Sequence, residues 1–398
     1  MYNNKLLLVL VAQPLTNQTF KRFGVDTKYN KWKIVHWNFL PMLDKKLDKI
    51  YSGKGNRLKK NKNYIKINSF SSLIKEYKKI PKKFFYINQI GSFYFTSLLD
   101  RYLSFHGGIK IQLVQEQNPI FNVKRTEVIK NLIPNHKSHL LKKIYFYLSS
   151  KAKQKVCLSF LQKKPKIIFA TCFRSYLDLK QKFKDSKIFK INSYDFDIYV
   201  KSKNKKPSNK NNILFIDQVM EGNFDYKLGK GKASLVKKDN YWENLEILFN
   251  KVIQKFPSYK FFIASHHRRN EKNLPVKKKF IFDKTRELIR NSKLVFCHNS
   301  NAINFAVLYM RPIILINMDL FKFNAYEVLE NIRSFSRELG LKIININKDF
   351  KIDKSISIKK LQKFDKKKYM KYAHYYIGFP GLKSQGRWEK ILKELESI

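Results

Sequence analysis

The feature that most constrains this chain is a recurring unit: a short apolar run, a polar cluster, then a stretch with apolar residues three and four apart. In the first 200 residues the runs Leu6–Ala12, Lys33–Trp37, Phe84–Asn88, Ile109–Gln115, Lys166–Thr171 and Lys187–Ile191 read as strands, with Ser92–Phe105 and His139–Gln162 as helices between them. Strands separated by helices pair only through crossovers, which makes the sheet parallel. The rhythm stops at residues 201–212, where Pro207 is the one apolar residue, and then restarts. Ile213–Ile216, Tyr259–Ala264, Leu294–Cys297 and Ile313–Ile316 read as strands, and Tyr241–Phe256, Thr285–Asn291 and Ala302–Met310 as helices. The prediction is an α/β protein of two Rossmann-like domains facing a cleft. They span residues 1–200 and 213–368, with a Lys/Asn-rich linker at 201–212. Two terminal helices in 369–398, around the break Gly378-Phe379-Pro380-Gly381, are free to cross back to the first domain.

Composition agrees with two packed cores. The chain has 398 residues, 43% of them hydrophobic and 15% aromatic, which is ample apolar surface to offset chain entropy. Its formal charge of +52 raises the question of nucleic acid, but the excess is mostly Lys spread along the whole length. A dedicated nucleic-acid surface concentrates Arg and Lys in one stripe among stacking aromatics. A coding bias that also favours Asn and Ile accounts for the pattern better, and nucleic acid is disfavoured as a partner. A diffuse Lys excess also suits an anionic cytoplasmic leaflet, at about 1 kcal/mol per well-placed basic residue. A cytoplasmic protein peripheral to the inner membrane is therefore the expectation. Cys157, Cys172 and Cys297 lack disulfide or zinc spacing. Leu6–Ala12 is followed by Gln13-Pro14-Leu15 rather than a small-x-small site, so it reads as a buried strand and not a leader. No apolar run approaches the roughly 20 residues of a membrane-spanning helix.

Each polar cluster of the second half falls at the carboxyl end of a strand, where open α/β sheets bind ligands. After Leu294–Cys297 comes His298-Asn299-Ser300-Asn301, opening the helix at Ala302. The first amides and positive dipole end of a helix favour an anion, and Ser300 or Asn301 suits both the cap and a phosphate oxygen. An N-cap with no ligand explains these residues equally well. After Tyr259–Ala264 comes Ser265-His266-His267-Arg268-Arg269, two imidazoles and two guanidiniums able to hold phosphate oxygens. A solvated basic loop is its ordinary alternative. The two loops are expected to end neighbouring strands of one sheet and so to converge on a single diphosphate. For a general base the best-placed carboxylates are Glu116, past Ile109–Gln115, and Asp217, past Ile213–Ile216, with Glu221 and Asp225 close behind. Asp195 and Asp197 are further candidates, and each of these carboxylates is equally suited to capping or ion pairing. Gly229-Lys230-Gly231-Lys232 lacks the flanking strand of a phosphate loop.

At these residues the sequence resembles bacterial surface-polysaccharide glycosyltransferases of the GT-B architecture, which read Lys-Pro-His-Pro-Arg after one strand and Ser-Thr-Ala-Ile-x-Glu-Ala-x-x-x-x-Lys-Pro after another. His266 and Arg268 fall on the first pattern, and Ser300, Ala302, Ile303, Ala306 and Pro312 on the second. It is also distantly similar to bacterial sialyltransferases, where a similar His and Ser hold the donor phosphate. The resemblance covers about residues 213–316. It implies a glycosyltransferase that moves a sugar from a nucleotide-sugar donor to a capsular polysaccharide, lipopolysaccharide or lipid-linked acceptor. It implies donor binding by His266 and Ser300, with Arg268 on the same motif. Asn301 joins them from its place at the helix start, and no cofactor is expected beyond the nucleotide sugar, nor a metal if these basic groups neutralise the phosphate. Phe305 stands where the family has an acidic residue, which leaves ribose recognition open. A sugar-nucleotide epimerase or polyol-phosphate transferase of the same fold, and a nucleic-acid-binding protein, are the competing readings.

Overall fold

The computed structural model describes residues 5–13, 22–24, 29, 31–52, 62–90, 94–114, 119, 164–204, 211–222, 236–266, 269, 274–347, 358–379, 381–382 and 386–398. Two sheets organise them, and every pairing between their strands is parallel. The first holds β1 (Lys5–Val11), β2 (Trp32–Asn38), β3 (Tyr64–Lys66), β4 (Phe84–Asn88), β5 (Gly108–Val114), β6 (Ile167–Ala170) and β7 (Lys187–Lys190), in the order β3-β2-β1-β4-β5-β6-β7. The second holds β8 (Asn212–Ile216), β9 (Lys260–Ala264), β10 (Phe280–Ile281), β11 (Leu294–Cys297), β12 (Ile313–Met318) and β13 (Ile343–Ile346), in the order β10-β9-β8-β11-β12-β13. The helices used below are α1 (Phe70–Tyr77), α2 (Tyr94–Phe105), α3 (Phe173–Lys182), α4 (Tyr194–Ser202), α5 (Lys238–Lys255), α6 (Thr285–Arg290), α7 (Ile303–Leu308), α8 (Tyr326–Leu339), α9 (Lys366–Tyr372) and α10 (Arg387–Glu396).

Strand β1 shows why these runs are near-continuously apolar. Side chains alternate across a strand, and a sheet covered on both faces must be apolar on both. Leu6, Leu8 and Leu10 pack in one cluster with Trp37, Leu73, Leu99 and Leu103, under α1 and α2. Leu7, Val9 and Val11 pack in another with Ile34, Ile87, Trp388, Ile391, Leu392 and Leu395. The last four belong to α10, so the end of the chain completes the first core. Trp388 Nε1 donates to the Arg22 carbonyl at 3.0 Å. Gly24, at φ +67°, lies so close to the Trp388 indole that a Cβ there would sit 2.5 Å from the ring.

Helix α9 belongs elsewhere. Tyr369 and Tyr372, with Tyr376 and Ile377 of the π turn that follows, are buried with β11, β12 and α8 in the second core. The division between the cores therefore falls between 377 and 387 rather than at 369. The linker is shorter than residues 201–212, because Lys201 and Ser202 end α4 and Asn212 begins β8. Short strands β3, β10 and β13 were not anticipated, and the predicted helix His139–Gln162 lies outside the described residues. Helix α4 meets the second half directly. Asn304 Nδ2 donates to Asp195 at 3.3 Å, and the Ser202 and Tyr309 hydroxyls share a hydrogen at 2.6 Å. Asp195 and Asp197 thus lie in the first turn of α4, behind the Ser193 cap. Asp197 is buried, and desolvation raises its carboxyl above the usual range against the hydrogen bond from Asn192.

Candidate functional site

In the second sheet the strand order reverses between β8 and β11, and the crevice beyond the carboxyl ends of those strands is the expected ligand position. The loops after β9 and β11 do not end neighbouring strands, because β8 lies between them. They are brought together by the residues that follow β8, namely Asp217 and Gln218.

Asp217 was a candidate base, and its surroundings correct that expectation. Its side chain is fully buried. One carboxylate oxygen takes the Nε–H of Arg269 and the backbone N–H of His266 at 3.3 Å. The other takes Arg269 Nη2 at 2.8 Å and the Val219 N–H at 3.0 Å. A carboxylate held by a bidentate guanidinium and two amides has no free lone pair aimed at an acceptor hydroxyl. It builds the loops instead. Val219 sits at φ +50°, costly for a β-branched residue, and the bond to Asp217 holds it there.

Arg269 completes the anchor. Its Nη1 reaches Glu221 at 2.8 Å, and Glu221 Oε1 also accepts from Trp242 Nε1 at 2.9 Å. The guanidinium lies over the Trp242 ring at 4.9 Å and the Phe280 ring at 5.7 Å. The pair of acids outweighs burial and pushes the Arg269 pKa upward, so it is charged at every accessible pH. The sequence pattern singled out Arg268 and passed over Arg269. The missed signal was its pairing in type with the two acids Asp217 and Glu221 that follow β8, which a linear reading does not bring together. A turn closed by the Arg269 N–H on the His266 carbonyl, at 2.9 Å, ties His266 to this anchor. Arg268 and His267 lie outside the described residues, as do Glu116, Asp225 and Gly229–Lys232.

The loop after β11 is held by neutral groups. Gln218 Nε2 donates to Asn299 Oδ1 at 2.9 Å, and the Asn299 N–H donates to Gln218 Oε1 at 3.0 Å, a two-bond clasp across β8 and β11. His298 is a core residue. It is fully buried, its Nδ1–H donates to the Ile316 carbonyl at 2.7 Å, and its Nε2 accepts from the Tyr241 hydroxyl at 3.1 Å. Burial lowers its pKa to about 4, so it is neutral in this tautomer.

Ser300 and Asn301 are half-buried and exposed respectively, at the carboxyl end of β11. They do not cap a helix in the way expected. Helix α7 begins at Ile303 with Ala302 at its cap position, and the Ser300 hydroxyl accepts the Ala302 N–H at 3.2 Å. The next three amides, of Ile303, Asn304 and Phe305, already donate to the carbonyls of Ser300, Asn301 and Ala302. An anion here would meet side chains rather than the amides of that turn. The Ser300 hydroxyl, as acceptor from Ala302, keeps its own hydrogen to donate. Phe305 is buried and stacks on Tyr309, with ring centroids 6.5 Å apart, which explains an apolar residue there as packing.

These features define an α/β protein of two Rossmann-like domains with the GT-B architecture. Solved structures share it. A variant of the wall teichoic acid polymerase TagF matches with a TM-score of 0.56 at 13% identity, covering 99% of this chain and 89% of that one. A second TagF variant gives 0.54 at 12% identity, covering 99% and 90%. The UDP-GlcNAc 2-epimerase from Methanocaldococcus jannaschii gives 0.45 at 13% identity, covering 99% and 100%. Neither a protein-family model nor a curated protein sequence matches the chain.

Proposed function

We propose that this protein is a glycosyltransferase that moves a sugar from a nucleotide-sugar donor to a cell-surface polysaccharide or lipopolysaccharide acceptor. The observation that carries the reading is the knot beyond β8, β9 and β11. Asp217, Gln218, Arg269 and Asn299 tie three loops into one rigid edge at the point where the strand order reverses. His266 and Ser300 are the members of that edge whose side chains suit a donor diphosphate, with Arg268 and Asn301 beside them in sequence. Positive and hydroxyl donors would neutralise the departing phosphate, as preorganised groups do wherever charge develops, and this reading needs no metal. With Asp217 engaged by Arg269, Glu116 is the remaining one of the two best-placed carboxylates to take the acceptor proton.

Polyol-phosphate transfer at the same edge is a second reading. The TagF structures support it, one of them soaked with CDPG at a TM-score of 0.51. Either reaction fits a protein working at the cytoplasmic face of the inner membrane, where its basic surface faces anionic lipid.

Calorimetric titration of UDP-sugars and CDP-polyols separates these readings. The double variant His266→Ala, Ser300→Ala should lose at least about tenfold in affinity for the one donor that binds, as expected when charge-assisted and hydroxyl contacts to phosphate are removed. Unchanged affinity would sink the site assignment.

A further inference from the structure

Helices α1 and α2 cover one face of the first sheet through Leu73, Leu99 and Leu103. Their outer sides are unusually apolar. Phe105 is 82% exposed and Phe70 62%, and Ile74, Leu98 and Tyr102 are exposed as well. Leu98, Tyr102 and Phe105 follow helical spacing along α2, as do Phe70 and Ile74 along α1, so each helix presents one apolar stripe to solvent. Tyr77 of α1 meets Tyr102 of α2 at 5.0 Å, which joins the stripes into a single patch. Patches of this kind on a soluble face mark interaction sites.

The charge around the patch has one sign. Lys75, Lys78, Lys79, Lys82, Lys83 and Arg101 are exposed in and beside these helices. The acids of the same stretch are Glu76 and Asp100. Glu76 is paired with Lys79 at 2.6 Å, and Asp100 is buried with Lys110. Arg101 lies one turn from Leu98 and Phe105, and Lys78 one turn from Ile74.

We propose that the outer faces of α1 and α2 dock the protein on an anionic lipid membrane. Phe70, Ile74, Leu98 and Phe105 enter the acyl boundary, and the surrounding Lys and Arg meet the headgroups. The inference rests on the membrane-peripheral reading above and gives it a surface. Single-stranded RNA fits the patch less well. Base stacking needs a run of open aromatic faces. Phe70 and Phe105 offer such faces, but Ile74 and Leu98 have none, and Tyr77, Tyr102 and His106 pack on one another at 4.6 to 5.3 Å.

Vesicle flotation of the full chain tests it, with phosphatidylglycerol-containing vesicles set against purely zwitterionic ones. The native chain should float with the anionic vesicles and lose binding as salt rises. Phe70→Ser, Leu98→Ser and Phe105→Ser together should reduce partitioning by about tenfold or more, with the thermal midpoint and donor affinity unchanged because these side chains are exposed. Lys78→Glu with Arg101→Glu should weaken binding while leaving the apolar patch intact. If both variants float as the native chain does, this surface is wrong although the protein is still membrane-peripheral. If the native chain does not float at all, both readings fail. Loss of oligouridylate binding in the serine variant of a chain that ignores vesicles would make the patch a nucleic-acid surface and overturn the proposal.

Discussion

The two loops of the candidate site are held in opposite ways. The loop after β9 hangs on a buried cation between two carboxylates, Arg269 with Asp217 and Glu221, whereas the loop after β11 hangs on an amide clasp and a neutral imidazole. Charges give a strong, directional anchor, but one whose partners cannot be left alone in a low-dielectric site. Neutral hydrogen bonds are individually weaker, and removing one strands less. The first loop should therefore be brittle to mutation, and the second more tolerant of it but sensitive to acid.

The sharpest way to break this contrast is Arg269→Ala. It leaves Asp217 and Glu221 buried without their cation, and we expect a loss of about 3–5 kcal/mol in denaturant unfolding. Arg269→Lys should recover only part of it, since an ammonium cannot make the bidentate bond. A loss below about 1 kcal/mol, the range of an exposed pair, would show that the anchor contributes little.

Acid should act on the other loop. Burial depresses His298 from 6.5 to about 4, so between those values the unfolded chain takes up a proton that the folded chain refuses. Stability that is complete above pH 6.5 is then lost as pH falls towards 4, by about 3 kcal/mol for a shift of this size. His36 is depressed to a similar value in the first core. His298→Gln should accordingly flatten the slope of thermal midpoint against pH by about half, while lowering the midpoint at neutral pH. An unchanged slope would mean that His298 is not the titrating group.

The smallest effect belongs to Gln218→Ala, which opens the clasp. The expected cost is about 1–2 kcal/mol, with weakened donor binding because the Ser300 loop is no longer tied to β8. An equal loss of stability with donor affinity intact would separate the clasp from the site.

The sequence was most legible where one physical rule acted alone. Leu6–Val11 is apolar at every position because both faces of β1 are covered, and that continuity marks a central parallel strand in any context. Strands β8, β9, β11 and β12 were legible for the same reason, to within two residues of their ends. The short edge strands β3, β10 and β13 were not, since so few partly exposed residues carry little periodicity, and β7, equally short and exposed, was legible only through its apolar centre Ile188-Phe189 and the following Ile191. At the site, the position of the polar clusters after β8, β9 and β11 could be read from the alternation of elements. Which cluster members face a ligand could not be read in this way.

Asp217, His298 and Arg269 show the physical reason. As residue types a carboxylate, an imidazole and a guanidinium read equally as catalytic, ligand-binding or structural groups. Their roles are set by partners distant in sequence: Asp217 by Arg269, His298 by Tyr241 and Ile316, and the clasp by Gln218 and Asn299. The sequence by itself determined the two α/β halves and the edge of the second sheet on which a site is built, because local periodicity encodes both. Only the tertiary structure decided that β8 separates β9 from β11, that Asp217 is an anchor, and that α10 returns to the first core. Those facts depend on strand order and burial, which no local pattern carries.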